Sequence, residues 1–221
     1  MKLAGSLLLF ALLLGCEVPQ LITRIVYEDP TNFVRLEPDP GVLPEAPETA
    51  HSQPANIPTD QMARVLRGFW VREHRNSIQV RWSGLAPQEP AFTDEEIALL
   101  ASKLSEALTE AGPAERVTFY LSRPQTSIKR EITSGGLFVH DNFLHFILSN
   151  YRIVYGIPAY GMVYDRRYPL MPTAPKGFDV IFTPPTAVVE GRHGLWDRIW
   201  GREKDEVVID LRKLRGSPSA G

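Results

Sequence analysis

Apolar residues recur at helical spacing over only one long stretch of this chain. Ile97, Leu100, Ala101, Leu104 and Leu108 fall on one stripe, while Lys103, Glu106 and Glu110 occupy the opposite, solvated side. Thr93 stands where an N-cap belongs, Glu96 completes a capping box with it, and Asp94 and Glu95 complement the positive end of the helix dipole. Gly112-Pro113 ends the pattern. The spacing predicts one long amphipathic helix over about 94–111. A shorter helix is predicted from Pro58-Thr59 to Arg67, with Met62, Val65 and Leu66 on one face and Gly68 as its stop.

Elsewhere the pattern alternates with period two or runs in short β-favouring blocks. Leu21–Tyr27 and Phe33–Leu36 flank the turn-like Asp29-Pro30-Thr31-Asn32. Phe69–Arg75 and Ser77–Trp82 read as a hairpin about Asn76, because Ile78, Val80 and Trp82 alternate. Further strands are predicted at Arg116–Leu121, Ser127–Thr133, Leu137–His140, Phe143–Asn150, Phe178–Phe182, Ala187–Val189 and Val207–Leu211. Ser134-Gly135-Gly136 and Asp141-Asn142 carry residues that tolerate positive φ, so they are expected as tight turns joining three strands into a meander. Connections this short exclude parallel crossovers. The expected fold is α+β: a mainly antiparallel sheet with the long helix and short helices packed on it.

The N-terminus has a different character. Lys2 precedes a nearly continuous apolar run from Leu3 to Leu14, followed by Gly15 and Cys16. A run of about 12 residues is shorter than the ~20 a membrane-spanning helix needs, and matches the layout of a secretory signal. Leu13-Leu14-Gly15-Cys16 contains the chain's single cysteine and resembles the lipobox of bacterial lipoprotein precursors. That resemblance is confined to the N-terminal segment. It implies acylation of the Cys16 sulfur, cleavage before it, and a body held at a membrane by its lipid; Glu17 in the next position implies the outer membrane, with the domain facing the periplasm. An ordinary signal peptide is the alternative.

These features divide the chain into a signal at 1–15, a lipidated N-terminal segment with short strands and a proline-rich stretch at 16–58, a globular α+β domain at 59–215 and a disordered tail at 216–221. Six of the 19 prolines lie between Glu37 and Pro58, which reads as a spacer or as a long loop lying along the domain. The first two strands either join the domain's sheet or dock on a partner.

Charge and composition narrow the chemistry. Lys and Arg number 24 against 26 Asp and Glu; losing residues 1–15 removes Lys2 alone, leaving 23 against 26 and a formal charge of −3. Nucleic acid is therefore not an expected partner. One cysteine leaves no disulfide framework or CxxC centre. His140-Asp141 and His145 invite an acid/base or metal reading, but their spacing across a turn guarantees no common face and matches no zinc motif, so no metal or cofactor is expected. Neither GxSxG nor SxxK occurs.

The distinctive composition lies in Tyr151–Gly177, which holds five of the seven tyrosines among arginines, glycines and prolines. Tyr155, Tyr160, Tyr164, Arg166, Arg167 and Tyr168 have the make-up of a recognition loop, or equally of a clasp over the sheet. Trp196 and Trp200, with Leu195 and Ile199, form a second apolar stripe suited to core packing or to a partner or bilayer contact. The expected function is a lipid-anchored envelope protein, a non-enzymatic binding, structural or assembly component with an envelope protein or glycan as partner. The alternative is a periplasmic hydrolase acting on glycan or peptide.

Overall fold

The computed structural model describes residues 22–156, 166–189 and 206–214. Among these residues six strands make the main sheet: β1 (Arg24–Glu28), β2 (Phe33–Pro38), β5 (Glu115–Thr126), β6 (Lys129–His140), β7 (Phe143–Gly156) and β9 (Glu206–Asp210), in the spatial order β1-β2-β5-β6-β7-β9. Three more, β3 (Phe69–Glu73), β4 (Gln88–Pro90) and β8 (Phe178–Phe182), form a small sheet with β3 in the centre. Among the described residues every strand pairing is antiparallel. The helices are α1 (Thr59–Arg67), α2 (Ser77–Ser83) and α3 (Asp94–Glu110), with a last turn at Leu211–Leu214. The fold class is α+β.

Helix α3 begins as expected: the Thr93 hydroxyl accepts from the Glu96 amide, and the Glu96 carboxylate accepts from the Thr93 amide at 2.9 Å. Its stripe of Ile97, Leu100, Ala101, Leu104 and Leu108 is buried. It packs on α1, which contributes Met62, Val65 and Leu66, and on the inner face of the main sheet, whose Val34, Leu36, Val117, Phe119, Leu137 and Phe146 complete the core. The small sheet closes this layer through Phe69, which lies on Phe146 with ring centroids 4.2 Å apart and meets Phe182 edge-on. β1 and β2 join the domain's own sheet.

The structure corrects four expectations. First, Ser134-Gly135-Gly136 is no turn; it runs through the middle of β6. A Cβ on Gly135 would lie 2.1 Å from the Ile147 carbonyl oxygen, so this glycine serves close packing between strands and against the Phe119 ring. The hairpin turn at Asp141-Asn142 is present, with Asp141 at φ 56°.

Second, Ser77–Ser83 is helical, and no hairpin forms about Asn76. Third, Ala187–Val189 is no strand: Pro185–Ala187 is a 3-10 turn, and Val188 makes an isolated bridge to Ile209. Fourth, the proline-rich stretch is not a free spacer. Its backbone bonds onto the domain, His51 to Pro113, Ser52 to Val139 and Ala55 to Leu108, and Ile57 is buried in the core. Prolines lack an amide donor, so the few remaining amides carry the attachment.

Candidate functional site

Cys16, Tyr160, Tyr164, Trp196 and Trp200 lie outside the described residues. The other predicted site residues gather on the outer face of the main sheet, the side away from α3. Phe33, Tyr120 and Ile132 form a small apolar cluster there, joined by Ile153 and Tyr155. The Tyr155 hydroxyl is 3.4 Å from that of Tyr120. Arg166 lies over the Phe33 and Tyr120 rings, 5.5 Å from each centroid, and donates to Glu28 at 3.3 Å. Tyr168 carries the Arg167 guanidinium 5.8 Å from its ring centroid.

The chain just beyond Tyr168 is fastened to the sheet. Ser134 donates to the Pro169 carbonyl at 2.7 Å, and Asn150, 1 % exposed, donates to Ser134 and to the Met171 carbonyl while accepting from the Thr173 amide and hydroxyl. A Cβ on Gly136 would meet the Leu170 side chain. Residues 166–173 therefore have the geometry of a clasp, in which Arg166 is part of the packing.

The ionisable groups on this face form a row nearer the start of β5. Asp39 accepts from the buried His51 at 2.9 Å; His51 stacks on Phe138, Phe138 on His145, and His145 pairs with Glu206. His140 meets His145 edge-on, with centroids 6.3 Å apart. The two histidines thus share a face, which their spacing alone did not guarantee. A two-residue turn at Asp141-Asn142 puts His140 opposite Phe143 and Phe138 opposite His145, so 138, 140, 143 and 145 must project the same way.

Chemically the row is constrained. Burial opposes ionisation of Asp39, but the His51 hydrogen bond and the charge of Arg116 hold its carboxyl below the ordinary range. Its neighbour Glu37 goes the other way: burial raises it, against a bond from the Thr118 hydroxyl and the charges of Arg116 and Arg35. Glu37 and Asp39 are both under a tenth exposed. Their bonds tie the proline-rich segment to the sheet, a structural use of polar groups. Among the described residues no three His, Cys, Asp or Glu side chains are gathered so as to hold a metal ion.

A further exposed group of residues lies on α2. Asn76 Oδ1 accepts from the Gln79 amide at 2.8 Å and Gln79 Oε1 from the Asn76 amide at 3.0 Å, a closed capping box. At the other end Arg75 donates to the Ser83 and Gly84 carbonyls, and Gly84 turns the chain at φ 70°. None of its residues is buried. Ile78 and Trp82, at i and i+4, are 71 % and 85 % exposed, and Leu85, just past the turn at Gly84, is 66 % exposed. The sequence reading missed this face because Ile78, Val80 and Trp82 also alternate. The signal that finds it is Asn76-x-x-Gln79, a cap that strands do not need.

No family model, no curated protein and no solved structure matches this chain. Among the described residues no helix is long and apolar enough to cross a membrane.

Proposed function

We propose that this chain is a lipid-anchored component of the cell envelope, acylated at Cys16 and facing the periplasm from the outer membrane, which works by binding and not by catalysis. The observation that carries the binding reading is α2: a helix capped at both ends by its flanking residues holds Ile78 and Trp82 in solvent, with Leu85 exposed just beyond its end. Exposed apolar surface of this kind costs solubility and marks contact sites. Among the described residues, Asp39, His51, His145 and Glu206 are tied to one another or to the sheet by bonds that fasten the fold.

The test has two independent parts. Intact mass of the membrane-extracted protein is expected to show a mature, acylated N-terminus at Cys16, and Cys16→Ser is expected to leave the precursor uncleaved by the lipoprotein pathway. A photo-crosslinking residue at position 82 is expected to give envelope adducts, whereas the same residue at the exposed Ser102 of α3 gives none. An unmodified thiol overturns the anchor; equal labelling from both positions overturns the binding reading.

A further inference from the structure

We infer that the occupant of the α2 face is the interface of an anionic phospholipid bilayer, an inference that rests on the binding reading of α2 and names its partner. The first support is charge. From His74 to Gln88 the chain carries Arg75 and Arg81 and no carboxylate. Nearby acids are already engaged: Asp179 with His74, and Glu89 and Glu131 with Arg152. Glu73 stands at the base of the helix.

The second support is side-chain chemistry. A tryptophan between aliphatic residues, with arginine beside it, suits the boundary where acyl chains meet phosphate. A protein interface of standard size takes about 20–30 residues a side, whereas an interfacial contact needs only a short apolar face and cations within a Debye length of the headgroups.

The third support is placement. β3 begins over Phe146 and ends where its partner Phe178 lies against Tyr151, so it runs toward the late end of β7. α2 follows β3 and stands at that end. The β5–β6 hairpin tip lies at the same end, since Lys129 pairs with Gly156, and it offers Ile128, 60 % exposed, beside the cation of Lys129. Two apolar tips with adjacent basic residues therefore project from one end of the sheet. A short face of this size binds weakly alone.

The experiment uses the full-length protein purified from envelope and reconstituted into vesicles whose phospholipids carry bromine on the acyl chains, which quenches tryptophan at contact range. Wild type is expected to lose fluorescence on vesicles of phosphatidylglycerol with phosphatidylcholine, less on phosphatidylcholine alone. Trp82→Phe should remove most of the loss, and Arg81→Ser should reduce the preference for the anionic vesicles. In a non-acylated sample, Ile78→Ser with Trp82→Ser should weaken vesicle partition by about tenfold or more. Matching urea midpoints show that these exposed substitutions leave the fold intact.

Equal quenching of wild type and Trp82→Phe overturns the inference. So does equal quenching on neutral and anionic vesicles. Protein adducts from position 82 without bromine quenching overturn it in favour of a protein partner, and leave the binding reading standing. Intact mass of the same sample reports on Cys16 separately, so failure of the anchor is not confused with failure of the lipid contact.

Discussion

Gly135→Ala adds one methyl group in the middle of β6, and its effect separates a packing glycine from a turn glycine. The new carbon would sit 2.1 Å from the Ile147 carbonyl oxygen and 2.9 Å from the Phe119 ring. Non-bonded carbon atoms settle at about 3.5–4.0 Å, so the β6–β7 ladder must part by roughly an ångström. Overpacking alone costs about 1–3 kcal/mol. The closest obstacle is backbone, so strained ladder bonds add about 0.5–1.5 kcal/mol each, for an expected loss near 3–5 kcal/mol. For a domain of this size that lowers the melting temperature by at least about 6 °C.

Urea titration followed by circular dichroism measures the loss, with two comparisons to fix its cause. Gly84→Ala, unlike Gly135→Ala, forces an alanine to a positive φ but meets nothing within 4 Å. Because α2 has no buried residue, local fraying limits the effect of Gly84→Ala on the global midpoint to under about 1 kcal/mol. Gly135→Asn is the second comparison: a turn glycine tolerates asparagine, which accepts positive φ, whereas a packing glycine suffers more from asparagine than from alanine. An alanine variant within about 0.5 kcal/mol of wild type, or an asparagine variant better than alanine, would refute the reasoning.

Asn150→Ala should cost at least about 2 kcal/mol, because it leaves the buried Ser134 hydroxyl, the Met171 carbonyl and the Thr173 amide short of a partner; an unchanged urea midpoint would mean that residues 166–173 are not a clasp. Acid should act on two carboxyl groups in opposite senses. Burial opposes ionisation of Asp29, yet bonds from Tyr27, Thr31 and Asn32 hold it well below the ordinary range, so its contribution is present above its unfolded value near ~4 and is lost as pH falls toward the folded one. Glu37, raised by burial, is destabilising when ionised; Glu37→Gln should therefore be more stable than wild type at pH 7, and the difference should vanish as pH falls through the folded value toward the unfolded one. Urea midpoints across pH 3–7 check both, and an Asp29→Ala variant with the wild-type acid profile would contradict the first.

Helix α3 was legible in the sequence because cap, stripe and stop agreed: Thr93, the leucines and Gly112 all pointed to one element. Phe178–Phe182 and the Asp141-Asn142 turn were legible for the same reason. Gly135 was not, since a glycine pair that permits a turn also permits two backbones to approach, and only the partner strand decides which. Asn76 was ambiguous between a loop tip and a cap. Tertiary contacts decided the proline-rich stretch, whose attachment rests on His51, Ser52 and Ala55 amides bonding to carbonyls far along the chain. His140 and His145 could have been placed on one face by applying the register of a two-residue turn.

Arg24, the first residue of β1, donates to Glu115 at 2.6 Å and to the Glu110 carbonyl at 2.8 Å, and Glu115 also accepts from the Gly112 amide. One guanidinium thus links the edge strand to the end of α3 and the start of β5. Any pull on the chain before residue 24 reaches the domain through this joint. Tension there would be shared between a central strand and the principal helix before it could peel β1 from β2. Arg24 is in this sense a strain relief, like the fitting where a cable enters its housing.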